Sequence, residues 1–102
     1  MLEEITQQLW QASEKSRACR ITMKGEPLPR TVHPYGICLT SSNKVVLVCR
    51  QTMGFTKAGG KEGYRNLILS DIERVEMLEF HFKKPDDFNP NDSQYKEWVY
   101  HI

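Results

Sequence analysis

The stretch Val45-Val46-Leu47-Val48-Cys49 is the most apolar run in the chain, and its reading decides the rest. Five consecutive apolar residues, four of them β-branched or branched at the next carbon, are too few for a helix and suit a strand buried on both faces. Upstream, Ser41-Ser42-Asn43-Lys44 forms a short polar turn. Before it a second strand is expected from about Arg30 to Thr40, carrying Val32, Tyr35, Ile37 and Leu39. Pro34 and Gly36 interrupt that strand, which points to an edge position or a bend. Gly25-Glu26-Pro27 is a turn signal, and ahead of it Cys19, Ile21 and Met23 alternate with Arg20, Thr22 and Lys24 as in a half-buried strand. At the start of the chain Leu2, Ile5, Leu9 and Ala12 recur at helical spacing. They predict an amphipathic helix from about Leu2 to Ser16, with Glu3 and Glu4 in its first turn where the macrodipole favours acids. A helix this short is marginal alone, so its apolar stripe must dock.

Downstream of the apolar run, Gln51–Gly63 is a long glycine-containing connection. It lacks the G-K-[ST] ending of a phosphate loop, so it reads as a flexible link between strands. Tyr64–Leu69 is expected as strand four, and Ser70-Asp71 as the cap of one helical turn over Ile72-Glu73-Arg74. Val75–Phe82 is strand five, with Leu78, Phe80 and Phe82 on one face and Glu79 and His81 on the other. Asp92 or Ser93 is expected to cap a last short helix ending in Trp98, Val99 and Tyr100. One helix and five short strands predict a mainly β domain: a small barrel with the helix across one end, closed so that no edge is exposed. A single domain spans residues 1–102, with the helix in 1–16, the barrel in 17–83 and a C-terminal extension in 84–102.

Composition narrows the function classes. The 102 residues are 39% hydrophobic and 26% charged, which describes one small soluble domain with room for one modest core. No run approaches the roughly 18 apolar residues needed to cross a bilayer. Residues 1–10 lack the cationic start of a secretory signal, so a cytoplasmic location without membrane partners is expected. Cys19, Cys38 and Cys49 are an odd count with no C-x-x-C pair and read as buried free thiols. Histidine occurs only at His33, His81 and His101, without the spacing of a zinc site or the motifs of a hydrolase. His33 and Cys38 share a strand at odd spacing and so are expected on opposite faces. A non-catalytic protein without metal or cofactor is the expectation.

Net charge is only +1, but its distribution is uneven. Residues 15–65 hold ten basic side chains and two acids, net +8, between ends of −3 and −4. A domain whose first four strands carry this charge can present a basic face to phosphates or acidic ligands.

At Arg30-Thr31-Val32-His33-Pro34-Tyr35-Gly36-Ile37 the chain resembles the WYL domain, a small Sm-like, SH3-like barrel of bacterial transcriptional regulators and defence-associated proteins. Arg30, Pro34 and Gly36 match its R-x-x-x-P-x-G strand. Arg65, Leu69 and Ile72 match its later R-x-F-x-L-x-x-I segment, with Leu67 at the aromatic position. Pro85-Asp86-Asp87-Phe88 resembles the stretch that often follows the barrel. The likeness runs from about Leu2 to Phe88. It departs at the namesake triplet, Val45-Val46-Leu47, where only the leucine is kept, and at Ile68 and Asp71, where the family usually carries further basic residues. The resemblance implies a regulatory, ligand-sensing module with Arg30 and Arg65 at its site. The expected ligand is negatively charged, a nucleotide or single-stranded nucleic acid. Arg50, Lys57 and Lys61 would add steering, and His33 or Tyr35 a neutral contact. The family's regulators also carry a winged helix-turn-helix, for which this chain has no room, so a DNA-binding partner protein is expected. The alternative is an interaction or homo-oligomerisation module without a ligand, to which Tyr95, Trp98, Val99 and Tyr100 would contribute.

Overall fold

Val45–Cys49 lies inside a ten-residue strand near the middle of the sheet; Val46–Cys49 are buried on both faces as the apolar pattern requires, while Val45 at the strand's start is exposed. The structure is a computed structural model that describes residues 2–55 and 63–102. In chain order its elements are α1 (Leu2–Glu14), β1 (Arg17–Met23), β2 (Arg30–Thr40), β3 (Val45–Gly54), β4 (Gly63–Ile68), β5 (Ile72–His81) and β6 (Tyr95–His101). A 3-10 turn at Leu69–Asp71 joins β4 to β5. The strands pair antiparallel in the order β4-β3-β2-β1-β5, and β6 pairs with β2. No helix among the described residues is long and apolar enough to cross a membrane.

The helix docks as its stripe predicts. Ile5, Leu9 and Ala12 enter an inner core with Cys19, Ile21, Val32, Ile37, Leu47 and Leu67 from four strands. It ends at Glu14 rather than Ser16, because Ser16 takes the left-handed backbone (φ 54°) and its carbonyl accepts the Phe82 N–H at 2.8 Å. A second cluster covers the opposite, outer face of the sheet: Tyr35, Cys38, Val46, Val48 and Phe88, with Phe82, Tyr95 and Trp98 packed against it.

Several expectations are corrected. The barrel is not closed: there are six strands, and among the described residues no pairing joins β4 to β5. The sheet buries both faces, one under α1 and the other under residues 82–102, instead of rolling its end strands together. Second, Tyr95–His101 is a strand, not a helix. The free half-edge of β2 needs a hydrogen-bonding partner, and Tyr, Trp and Val favour the pleated form. The residue expected to cap a helix makes a turn: Asp92 Oδ1 accepts the Gln94 N–H at 3.1 Å, and the Asp92 carbonyl accepts the Tyr95 N–H at 3.0 Å. Third, the single turn after β4 lies at Leu69–Asp71, ahead of the expected Ile72–Arg74, which already belongs to β5. Within β5, Val75 and Met77 face the inner core while Phe80, at the opposite parity, is 73% exposed. Phe82 turns to the outer cluster.

Pro34 and Gly36 mark a bend but no edge. β3 pairs along the whole of β2, and the other side of β2 is shared, by β1 at Arg30–Val32 and by β6 at Gly36–Thr40. Pro34, which has no N–H to give, sits in the gap between those two partners. The register shifts between Pro34 and Gly36, leaving Tyr35 as an extra residue. That bulge reverses the side-chain parity. Val32 and Ile37, five apart, therefore share the inner core, and the opposite-face expectation for His33 and Cys38 fails. Cys38 lies in the outer cluster, and His33 stacks on Phe82 of that same cluster (4.8 Å, 8°).

Gly36 is needed for a close approach. A Cβ there would lie 2.5 Å from the Tyr100 carbonyl oxygen and 2.9 Å from the His101 Cα, both backbone atoms that cannot swing aside. Gly36→Ala is expected to cost about 1–3 kcal/mol or more, read as a lower unfolding midpoint with hydrogen-exchange protection lost first in β6. The thiols supply a second expectation. Burial pushes Cys38 up to about 11 and Cys19 and Cys49 up to about 12 from an ordinary 9.0. A pKa raised on folding adds stability that is complete below the unfolded value and is lost as pH rises toward the folded one. Urea midpoints are therefore expected to fall steadily from about pH 9 to 12, and less steeply in Cys38→Ala.

Candidate functional site

Arg30 opens β2 directly after the β1–β2 turn, and its guanidinium is nearly buried. Its Nε and Nη2 donate to the two carboxylate oxygens of Glu26, at 2.9 and 2.7 Å, as a bidentate fork. Its Nη1 donates to Gln51 Oε1 at 3.0 Å, and the Phe55 ring centroid lies 5.7 Å from its central carbon. Gln51 in turn donates to the Phe55 carbonyl at 2.8 Å. This chain of contacts ties the β1–β2 turn to the end of β3. The bond to Glu26 raises the Arg30 pKa further, so the group stays charged.

Arg65 comes from β4, on the same side as the core residue Leu67. Its Nη1 donates to the Tyr64 carbonyl at 2.9 Å. Arg30 and Arg65 line one cleft of about 250 Å³, together with Lys24, Glu26 and Asp71. The cleft lies at the open seam, bordered by β4 on one side and by the β1–β2 turn and the 3-10 turn on the other. Lys24 is held there by its backbone N–H, which donates to the Asp71 carbonyl at 2.8 Å. Three cations face two carboxylates, and one of those carboxylates is committed to Arg30.

The other sequence-derived residues go elsewhere. Arg50 and His33 are cross-strand partners on the outer face, away from the seam. Tyr35 is 1% exposed and packs edge-on or tilted against Tyr64, Phe82 and Phe88, so it belongs to the outer core. Burial pushes its phenol up to about 12. Lys57 and Lys61 lie outside the described residues.

Sequence reasoning passed over Lys24, Glu26 and Asp71 in the seam. Only Glu26 had a readable signal, as an acid four residues before Arg30 across a Pro-rich turn. It also passed over a second groove of about 410 Å³ on the outer face, between β4 and residues 87–95. Tyr64, Asn66, Asp87, Phe88, Gln94 and Tyr95 line it, and Arg65 and Asn66 line both spaces. There Tyr64 donates its hydroxyl to Asp87 Oδ1 at 2.7 Å, and Asn66 Nδ2 donates to Gln94 Oε1 at 3.0 Å. No family model matches the chain, and neither the curated proteins nor the solved structures searched contain a match.

Breaking the buried pair tests the structural half of this site. Glu26→Ala leaves a buried guanidinium without its counter-charge and is expected to cost about 3–5 kcal/mol, while the double change Glu26→Leu with Arg30→Met recovers most of that. Denaturant titration of the unaltered chain and the two variants checks it.

Proposed function

We propose that this chain is a non-catalytic, cytoplasmic binding module for a phosphate-bearing ligand, a nucleotide or a short single strand of nucleic acid, held at the open seam. The observation that carries the reading is that two arginines from strands far apart in sequence line one cleft beside Lys24. A planar guanidinium offers paired donors that match phosphate oxygens. The arginines divide the work. Arg30 spends three of its donors on Glu26 and Gln51 and contributes a positioned charge and a rigid wall. Arg65 and Lys24 are the direct contacts. The WYL-like motif residues at Arg30 and Arg65 support the same reading, and with it a regulatory role exercised through a DNA-binding partner. No catalytic step is assigned, since burial holds all three thiols protonated.

A second reading, a protein-interaction module, draws on Phe80, which stands 73% exposed on the outermost strand β5. The C-terminal aromatics no longer add to it, because Trp98 and Tyr100 pack within the domain itself.

Fluorescence anisotropy with a labelled eight-nucleotide single strand separates the two. Affinity is expected to fall with rising salt, because phosphate contacts release counterions. Arg65→Ala is expected to weaken binding about tenfold, in line with loss of one charge-assisted contact. Flat binding across salt, or an unchanged affinity in Arg65→Ala, sinks the phosphate reading.

A further inference from the structure

The outer groove sits on the other side of Arg65 from the seam, and its chemistry differs. Its two carboxylates, Asp87 and Asp92, repel phosphate, while its walls are aromatic and amide. We infer that this groove is a nucleobase pocket. On this reading, which rests on the phosphate site proposed above, a nucleotide lies across β4 with its phosphate in the seam and its base in the groove.

Three observations support the assignment. At about 410 Å³ the groove falls in the range of small-ligand sites, about 300–1,000 Å³. Tyr64 and Tyr95 are partly exposed there, with Phe88 behind them, and flat apolar rings of this kind are what bases stack on. The third observation concerns the amide pair. Asn66 and Gln94 share one hydrogen bond, from Asn66 Nδ2 to Gln94 Oε1. The remaining atoms, Asn66 Oδ1 and Gln94 Nε2, make no other hydrogen bond among the described residues. They leave one acceptor and one donor on residues that line the groove, the two functions needed to read a base edge. Reversing both amides together leaves one acceptor and one donor again. Asp87 uses Oδ1 for Tyr64, and its second oxygen remains as an acceptor for an exocyclic amine. Adenine and cytosine offer such an amine; thymine offers carbonyls in its place, facing two carboxylates.

The test uses the whole chain and four labelled eight-mers with equal phosphate counts: dA8, dC8, dT8 and an abasic strand. Gln94 is exposed, so Gln94→Ala leaves the fold intact, which near-UV circular dichroism checks. The expected result is that dA8 and dC8 bind about tenfold tighter than the abasic strand, with dT8 between them. In Gln94→Ala, whose side chain does not line the seam, dA8 should fall to about the dT8 level while abasic binding is unchanged. Equal binding of all four strands overturns the base pocket and leaves the phosphate site standing. dT8 binding as tightly as dA8 overturns the amine preference. Failure of every strand to bind overturns both readings.

Discussion

One strand with two partners on the same side organises this domain. The long strand β2 gives its first third to β1 and its last half to β6, and β3 runs the full length of its other side. Such sharing requires a break in the ladder, and Pro34 supplies a position with no N–H to satisfy. The extra residue at Tyr35 then re-aims the strand, so that apolar side chains on both sides of the bulge find the same core. Two carbonyls at the break find partners outside the ladder: Ser13 Oγ donates to the Pro34 carbonyl at 3.0 Å, and the Ile102 N–H donates to the Tyr35 carbonyl at 2.9 Å. Helix, sheet and C-terminal strand meet at this point.

The seam follows from the same arrangement. With the outer face covered by the C-terminal extension, closing β4 onto β5 is not needed to build a second core. The open side is instead braced by the buried Glu26–Arg30 pair and its link through Gln51 to Phe55. A buried ion pair is rarely retained for stability alone, since apolar replacements of similar volume often serve as well. Here it fixes the turn that carries Lys24 and keeps a positive charge beside Arg65. Structural and ligand-facing uses of a cation thus meet in one cleft.

Much of this was legible from residue patterns. The helical stripe of Ile5, Leu9 and Ala12, the first four strands and the free buried thiols all rest on local periodicity, and local periodicity survives folding. The convergence of Arg30 and Arg65 was not readable, because it depends on which strands end up beside the seam. The C-terminal strand was missed because Asp92 serves equally well in a helix cap and in a turn, and the choice depends on a free half-edge fifty residues away. The outer groove was invisible for a similar reason: Asn66 and Gln94 meet only when the extension folds back over β4.

The sequence by itself determined the class of structure, mainly β behind one amphipathic helix, since burial patterns and turn residues act over a few positions. It also determined where positive charge is concentrated along the chain. Tertiary structure alone decided that the barrel stays open, that the bulge at Tyr35 turns His33 and Cys38 to one side, and which cations share a cleft. Those outcomes turn on strand pairing between distant segments, where one unpaired edge or one extra residue changes which side chains meet.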